Sequence, residues 1–197
     1  MDIVVAALTF GAIFVVELPD KTFLATLVLS TKYRPFFVWI GVGLAFAVQT
    51  GVAVGLGHAA SYLPKEAVQS VAAVMFLVGA VILIREGRSH AAADDGDEYA
   101  AKAGDVHGAK VILASFLVLF AAEWGDLSQL LTLSLVAKYE DPLSVFIGAL
   151  LALLAVSGLA VVAGRTLLRW IPIHVLHFVG AGVCLLLFVF TAWELLG

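Results

Sequence analysis

Two short polar stretches, Glu17-Leu18-Pro19-Asp20-Lys21-Thr22 and Glu123-Trp124-Gly125-Asp126-Leu127-Ser128-Gln129, each lie midway along a strongly apolar run of this 197-residue chain. Each stretch carries two carboxylates three positions apart and a hydroxyl two positions after the second carboxylate. A charged side chain at the bilayer centre costs ~2.5–3.5 kcal/mol or more and ordinarily marks an ion or proton path. The same pattern repeated 106 positions later therefore indicates a duplicated unit built around intramembrane acids.

The composition of the chain points to a membrane protein. Hydrophobic residues make up 62% of it and charged residues only 13%, with a mean hydropathy of +1.08. Because a soluble domain of this size cannot bury so much apolar surface, the surrounding solvent is expected to be lipid. A membrane-spanning helix needs about 20 residues, and six apolar segments are long enough: 3–30, 35–60, 66–84, 110–137, 142–169 and 174–196.

These segments predict an all-α membrane protein of six transmembrane helices, arranged as two three-helix repeats. Other matches support the duplication: Lys32-Tyr33 corresponds to Lys138-Tyr139, and Gln49-Thr50-Gly51 corresponds to Val156-Ser157-Gly158 after a one-residue shift. Since three is an odd number, the second repeat enters from the opposite side of the membrane. This inverted repeat is the architecture of many secondary transporters, with the binding site at the midplane between the repeats.

The expected domains are a first repeat over residues 1–84, an acidic loop over 85–109, and a second repeat over 110–197. Eight Lys and Arg residues lie at or beyond the ends of the first, third and fifth segments, whereas two lie beyond the second and fourth. Because cytoplasmic loops carry the excess of basic residues, the acidic loop is expected in the cytoplasm and both termini outside. The first apolar run lacks the basic flank of a signal peptide, and no organelle-targeting stretch is visible, which favours a prokaryotic plasma membrane.

The intramembrane acids need neutralising partners. Helical spacing places Glu17 with Asp20, and Glu123 with Asp126, on one face of each helix. With Lys21 nearby, four ionised carboxylates carry a net charge of −3, which one divalent cation reduces to −1 and protons can neutralise further. Carboxylate, amide and hydroxyl oxygens are hard ligands, which suit Ca²⁺, Mn²⁺ or Mg²⁺.

The candidate cation ligands are oxygen-bearing side chains on the first, second and fourth segments: Glu17, Asp20, Thr22, Gln49, Glu123, Asp126, Ser128 and Gln129. The hydroxyls of Thr22 and Ser128 can equally hydrogen-bond to their own helices, and Gln49 can instead hydrogen-bond to a neighbouring helix. Pro19 and Gly125 occupy equivalent positions, and each weakens a helix. We therefore predict that the first and fourth helices break at the acidic motifs, where freed carbonyls can line a cavity.

These motifs resemble those of the transmembrane protein 165, or Gdt-type, family of cation/proton exchangers, and the resemblance spans nearly the whole chain. The stretch Glu123-Trp124-Gly125-Asp126-Leu127-Ser128-Gln129 is the more specific match. The resemblance implies exchange of Mn²⁺ or Ca²⁺ for protons, with the motif acids as ligands and the cation as substrate. Three positions depart from the family pattern. Pro19 replaces a Gly, Phe23 replaces a Gln that would mirror Gln129, and Leu127 replaces an Arg or Lys.

The resulting expectation is an antiporter that exports Mn²⁺, or alternatively Ca²⁺, from the cytoplasm in exchange for protons. No cofactor is expected. The sequence is compatible with a homo-oligomer as well as with a monomer. The scattered basic residues exclude a nucleic-acid partner. The alternative is a small-solute exporter of similar compact fold, although Lys21, which would bind a solute carboxylate, has Glu17 beside it. An intramembrane aspartyl protease is disfavoured because each aspartate has a glutamate three residues earlier, so no enzymatic activity is expected.

Overall fold

A computed structural model describes residues 1–18, 21–62, 64–88, 106–170 and 173–196. Throughout these ranges every regular element is an α-helix, as predicted. Eight helices lie in them: α1 (Ile3–Glu17), α2 (Lys21–Lys32), α3 (Pro35–Ala60), α4 (Lys65–Arg88), α5 (Lys110–Ala122), α6 (Leu127–Tyr139), α7 (Pro142–Trp170) and α8 (Ile173–Leu196). Most of the predicted acidic loop falls outside the described residues.

Two helices are long and apolar enough to cross a membrane alone, namely α3 and the Pro142–Val162 part of α7. The pairs α1/α2 and α5/α6 each qualify as one further span if the two helices of the pair are joined across their bend. In α4 and α8 the apolar stretches are shorter, at Gln69–Arg85 and Ala181–Trp193. By length and composition, the described residues therefore supply two clear spans and up to four.

The predicted break of the fourth apolar segment is confirmed, because α5 and α6 meet at 73° across residues 123–126. The first segment is also divided, with α1 and α2 at 70° to each other. That bend runs over Pro19 and Asp20, which lie outside the described residues.

Helices from the two halves of the chain pack against each other. Helix α1 lies against α7, α5 lies against α3, and α4 lies against α8. The first two crossings are close because each has a glycine at its centre. A Cβ atom at Gly41 would overlap the α5 backbone and lie 2.9 Å from the Cβ of Ser115, and a Cβ atom at Gly148 would overlap the α1 backbone and lie 3.0 Å from the Cβ of Thr9. Both glycines and both hydroxyl residues correspond at an offset of 106 or 107 positions, so each crossing has a counterpart in the other half.

Asp141 caps the start of α7 and holds the N-terminus beside it. Its carboxylate accepts hydrogen bonds from the Ser144 N–H at 3.1 Å and the Ser144 hydroxyl at 2.6 Å, the arrangement of a helix N-cap. It also accepts from the Asp2 N–H at 3.0 Å, and the Met1 amino group lies 3.8 Å away. The hydrogen bonds from Ser144 hold the pKa of the Asp141 carboxyl below its ordinary value.

We expect Asp141→Asn to lower thermal stability near neutral pH, and the difference from wild type to vanish in acid. A carboxyl whose pKa is lowered by folding stabilises the folded state above its unfolded-state pKa, and this contribution is lost as the pH falls through the folded-state pKa. Asparagine still caps a helix, so the substitution mainly removes the charge. Thermal unfolding in detergent between about pH 3 and pH 6 measures the effect, with Glu66→Gln at the exposed start of α4 as control. A difference that stays constant with pH would contradict the expectation.

Candidate cation site

The break between α5 and α6 is shaped by Gly125 and Asp126. Gly125 has a φ of +81°, in the left-handed region that costs a residue with a side chain about 1–2 kcal/mol. Asp126 is the N-cap of α6, and its carboxylate accepts from the Gln129 N–H at 3.0 Å and the Ser128 hydroxyl at 2.8 Å. The Asp126 carboxylate is therefore held at a helix N-terminus, where the peptide dipoles favour a negative charge.

Acids from the two motifs meet at this break. The carboxyl of Glu17, at the end of α1, lies within interaction distance of the carboxyl of Asp126, at the start of α6. Glu17 is fully buried and Glu123 is 4% exposed, so both glutamates are enclosed by protein. Tertiary packing has thus placed one acid from each half beside the other, although they are far apart in the sequence.

Two groups that were expected beside these acids cannot be placed. Asp20 and the side chain of Lys21, which was expected to pair with Glu17, lie outside the described residues. In the portion that is described, no three His, Cys, Asp or Glu side chains lie close enough together to hold a metal ion. Among the described acids, Glu17 and Asp126 therefore interact across the two motifs, and Glu123 is the C-cap of α5 at the same break.

The two motif hydroxyls are both buried but differ in their contacts. The Ser128 hydroxyl donates to Asp126 rather than to its own helix. The Thr22 hydroxyl, at the equivalent position, has no hydrogen-bond partner in the described part of the chain. The structure thus places the Ser128 hydroxyl against one acid, whereas the Thr22 hydroxyl has no hydrogen-bond partner in the described ranges.

The two glutamines contact backbone groups of the break. The amide nitrogen of Gln129 donates to the carbonyl of Glu123, and its amide oxygen accepts from the Gly125 N–H at 3.2 Å. The amide nitrogen of Gln49 on α3 donates to the carbonyl of Phe120 at 3.1 Å. Both side chains were predicted as cation ligands. In the structure Gln129 bonds across the break, and Gln49 bonds to the carbonyl of Phe120 at the end of α5.

Two departures from the family pattern fill apolar contacts. Phe23 is fully buried and packs against Val156 of α7. Leu127 lies over Gly79 of α4, where a Cβ atom would come within 2.5 Å of its side chain. Both replacements therefore pack against apolar or small residues of a neighbouring helix.

Three other buried hydroxyls lie outside the two acidic motifs. Those of Thr9, Thr26 and Ser115 have no hydrogen-bond partner within the described ranges. Thr9 and Ser115 each precede a motif glutamate, Glu17 or Glu123, by eight residues, which places them on the same side of α1 and α5. A hydroxyl two turns before each glutamate is the sequence signal that marks them.

Comparisons with known proteins identify relatives of this chain. Residues 5–91 and 111–197 match the family described as GDT1, divalent cation/proton antiporter. A protein of Vibrio cholerae serotype O1, named "Putative manganese exporter", is 31% identical over 192 residues, which cover 96% of this chain and 90% of that protein. A GDT1-like protein of Synechocystis is 27% identical over 200 residues, which cover 95% of this chain and 96% of that protein.

A plant protein is also similar to this chain. Protein PAM71 of the Arabidopsis thaliana chloroplast is 31% identical over 203 residues, which cover 92% of this chain. The aligned region is 54% of the length of PAM71, so this chain spans about half of that relative. No solved structure matches the chain.

Proposed function

This chain belongs to the GDT1 family of divalent cation/proton antiporters, and we propose that it exports Mn²⁺ from the cytoplasm in exchange for protons. The name of the Vibrio cholerae relative supports Mn²⁺ and export. Ca²⁺ is the alternative cation, because the same hard oxygen ligands suit it. The observation that carries the proposal is the contact between Glu17 and Asp126, which joins the two acidic motifs.

A pair of adjacent carboxyls suits an exchanger of cations and protons. Two carboxylates side by side in a site of low dielectric repel each other, so both ionise together only when a positive charge compensates them. A divalent cation between Glu17 and Asp126 supplies that charge. Protons supply it when the cation has left, and the same groups thereby bind the two substrates in alternation.

The proposed cation ligands are the four motif acids Glu17, Asp20, Glu123 and Asp126, together with the hydroxyls of Thr22 and Ser128. The Thr22 hydroxyl is buried and has no hydrogen-bond partner among the described residues, which supports its inclusion, because a buried polar group without a partner costs about 1–3 kcal/mol that a bound cation would recover. The Ser128 hydroxyl already contacts Asp126 and can turn its oxygen toward a cation. A site made only of oxygen ligands favours Mn²⁺ or Ca²⁺ over Cu⁺.

We also propose that the chain is a six-span inverted repeat, with both termini outside, the acidic loop in the cytoplasm, and the plasma membrane of a prokaryote as its location. The matched glycine crossings, α1 with α7 and α5 with α3, support the repeat. In such folds the site lies near the bilayer midplane between the repeats, and the meeting of Glu17 with Asp126 agrees with this position.

Family membership favours a cation over the organic solute of the alternative hypothesis, a small-solute exporter. GDT1 proteins are described as divalent cation/proton antiporters, which are transporters rather than enzymes. A solute exporter would additionally need a basic group free to bind the carboxylate of the solute. None of the described contacts at the break contains such a group.

A vesicle experiment tests the proposal. Purified protein is reconstituted into vesicles that contain a pH-sensitive dye and carry a pH gradient, and Mn²⁺, Ca²⁺, Mg²⁺ and Zn²⁺ are added in turn. We expect Mn²⁺ to release protons at the lowest concentration, Ca²⁺ to follow, and vesicles without protein to show no release. Proton release by none of the four cations would overturn the proposed function. Release by Ca²⁺ alone would overturn the assignment of Mn²⁺.

A further inference from the structure

We propose that Gln49 and Gln129 are positioning residues that hold the second acidic motif in its broken conformation. This inference rests on the proposed function, since it concerns how the cation site is kept in shape. It gives the two glutamines a role different from the cation ligation that their sequence positions suggest.

The break creates backbone groups that need partners. Where α5 ends, carbonyls that would accept from the next turn of helix lose their intrahelical donors. A buried carbonyl without a donor costs about 1–3 kcal/mol. The Gln49 amide donates to the carbonyl of Phe120, and the Gln129 amide donates to that of Glu123. The Gln49 amide therefore stands in for a helical N–H group that the break has removed. The Gln129 amide reinforces the long hydrogen bond, 3.4 Å, that the Glu123 carbonyl accepts from the Asp126 N–H.

Gln129 also uses its oxygen. The amide oxygen accepts from the N–H of Gly125, the residue in the left-handed conformation. One side chain thus joins the residues on both sides of the turn and closes a loop from Glu123 to Gln129. Since both ends of the Gln129 amide are hydrogen-bonded to the backbone of the turn, its contacts fit a structural support.

Gln49 reaches the break from the other half of the chain. It lies on α3, is 2% exposed, and contacts α5 within the interface between these helices. Its hydrogen bond fixes the end of α5 against a helix of the first repeat. The two amides therefore constrain the break from two directions, one within the motif and one across the interface.

The positions that correspond to the two glutamines offer an internal comparison. The position that matches Gln129 is Phe23, and the position that matches Gln49 in the shifted alignment is Val156. Phe23 and Val156 pack against each other in one buried apolar cluster. Neither side chain can form a hydrogen bond. Both amides thus contact the break of the second motif, and both counterpart positions are apolar and in contact with each other, which is the pattern expected if the two positions act together.

Rigid support of this kind matters because a cation site tolerates displacements of only about 0.5 Å. The groups fixed by the two amides flank Glu123 and Asp126, which supply the proposed ligands of the second motif. Loss of a residue that orients the direct metal ligands typically reduces metal affinity or activity by about 10–100-fold. We expect losses in this range for either glutamine, without any change in the charge of the site.

The test compares Gln49→Met and Gln129→Met with Gln69→Met, a matched control on α4. Methionine has a similar length and volume but no amide. Two measurements are made on each protein in the same detergent and vesicles. Hydrogen–deuterium exchange reports backbone protection in peptides covering residues 120–130, and Mn²⁺-driven proton release gives the apparent KM and the maximum rate.

We expect Gln129→Met to raise deuterium uptake at residues 123–126, and Gln49→Met to raise it at the end of α5. Exchange in α4 and α8 should stay as in wild type, and transport should slow by about 10–100-fold. Gln69→Met should change neither measurement. The two variants remove different bonds from different helices, so a folding failure of one leaves the other to decide.

Two results would overturn the inference. If protection at the break is unchanged while the apparent KM for Mn²⁺ rises, the glutamines are ligands. If neither measurement changes, the glutamines are needed neither for the conformation of the break nor for transport. Should the wild-type protein release no protons with any cation, the proposed function fails, yet the exchange measurements still report whether the amides hold the break.

Discussion

Asp126→Asn is expected to abolish cation/proton exchange while leaving the protein folded in the membrane. Asparagine has nearly the same shape as aspartate and is an equally good N-cap, so the hydrogen bond from the Gln129 N–H and the start of α6 should persist. The substitution removes the negative charge that faces Glu17. Because changes outside the direct ligands already cost 10–100-fold, we expect the loss of a ligand charge to reduce transport by about 100-fold or more.

Glu123→Gln is expected to give the same loss, since Glu123 is buried beside the same break. Transport is measured as Mn²⁺-driven proton release in vesicles, and folding as a monodisperse elution profile with a thermal transition near that of wild type. Glu66→Gln, an exposed acid at the start of α4, serves as the matched control and should transport normally. Full transport by both motif variants would remove the basis for a cation site at these acids.

The second large effect is expected at the helix crossings. Gly41→Leu and Gly148→Leu should each prevent normal packing, because even a Cβ atom at either position would overlap the backbone of the facing helix. Overpacking typically costs 1–3 kcal/mol and sometimes more, which for a chain of this size lowers the melting temperature by about 5–10 °C. Close approach through small residues is also the main means by which membrane helices associate.

Two glycines of the same helix provide controls for this prediction. Gly51 and Gly55 lie on α3, as Gly41 does, but a Cβ atom at either position meets nothing within 4 Å. Gly51→Leu and Gly55→Leu should therefore express and melt like wild type, while Gly41→Leu and Gly148→Leu yield little monodisperse protein. If the four variants behave alike, the crossings are not where the two halves are held together.

Much of the fold could be predicted from local properties of the sequence. The long apolar runs predicted helices, and the described residues contain only helices among their regular elements. Gly125 predicted a break within the second motif, and α5 ends three residues before it. The acidic stretches predicted the family, which the comparisons confirmed. The six-span inverted repeat stays a proposal, with the reciprocal glycine crossings as its support.

Gln129 illustrates where sequence reasoning reached its limit. Treated as part of one continuous helix, its position extends the acidic stripe of Glu123 and Asp126 and makes it a candidate ligand. The break at Gly125 changes the direction of the chain by 73°, so the Gln129 side chain returns to the Glu123 carbonyl instead. A helical periodicity cannot describe side chains that lie on both sides of such a turn.

The sequence by itself determined the solvent, the helical class, the duplicated acids and the family, because each of these depends on composition or on residues close together in the chain. Only the tertiary structure decided that Glu17 faces Asp126, that Gln49 supports the end of α5, and that Phe23 packs on Val156. Each of these contacts joins residues of opposite halves. Their geometry depends on how α1, α3, α5 and α7 approach one another, which is set by the packing of whole helix faces rather than by any local pattern.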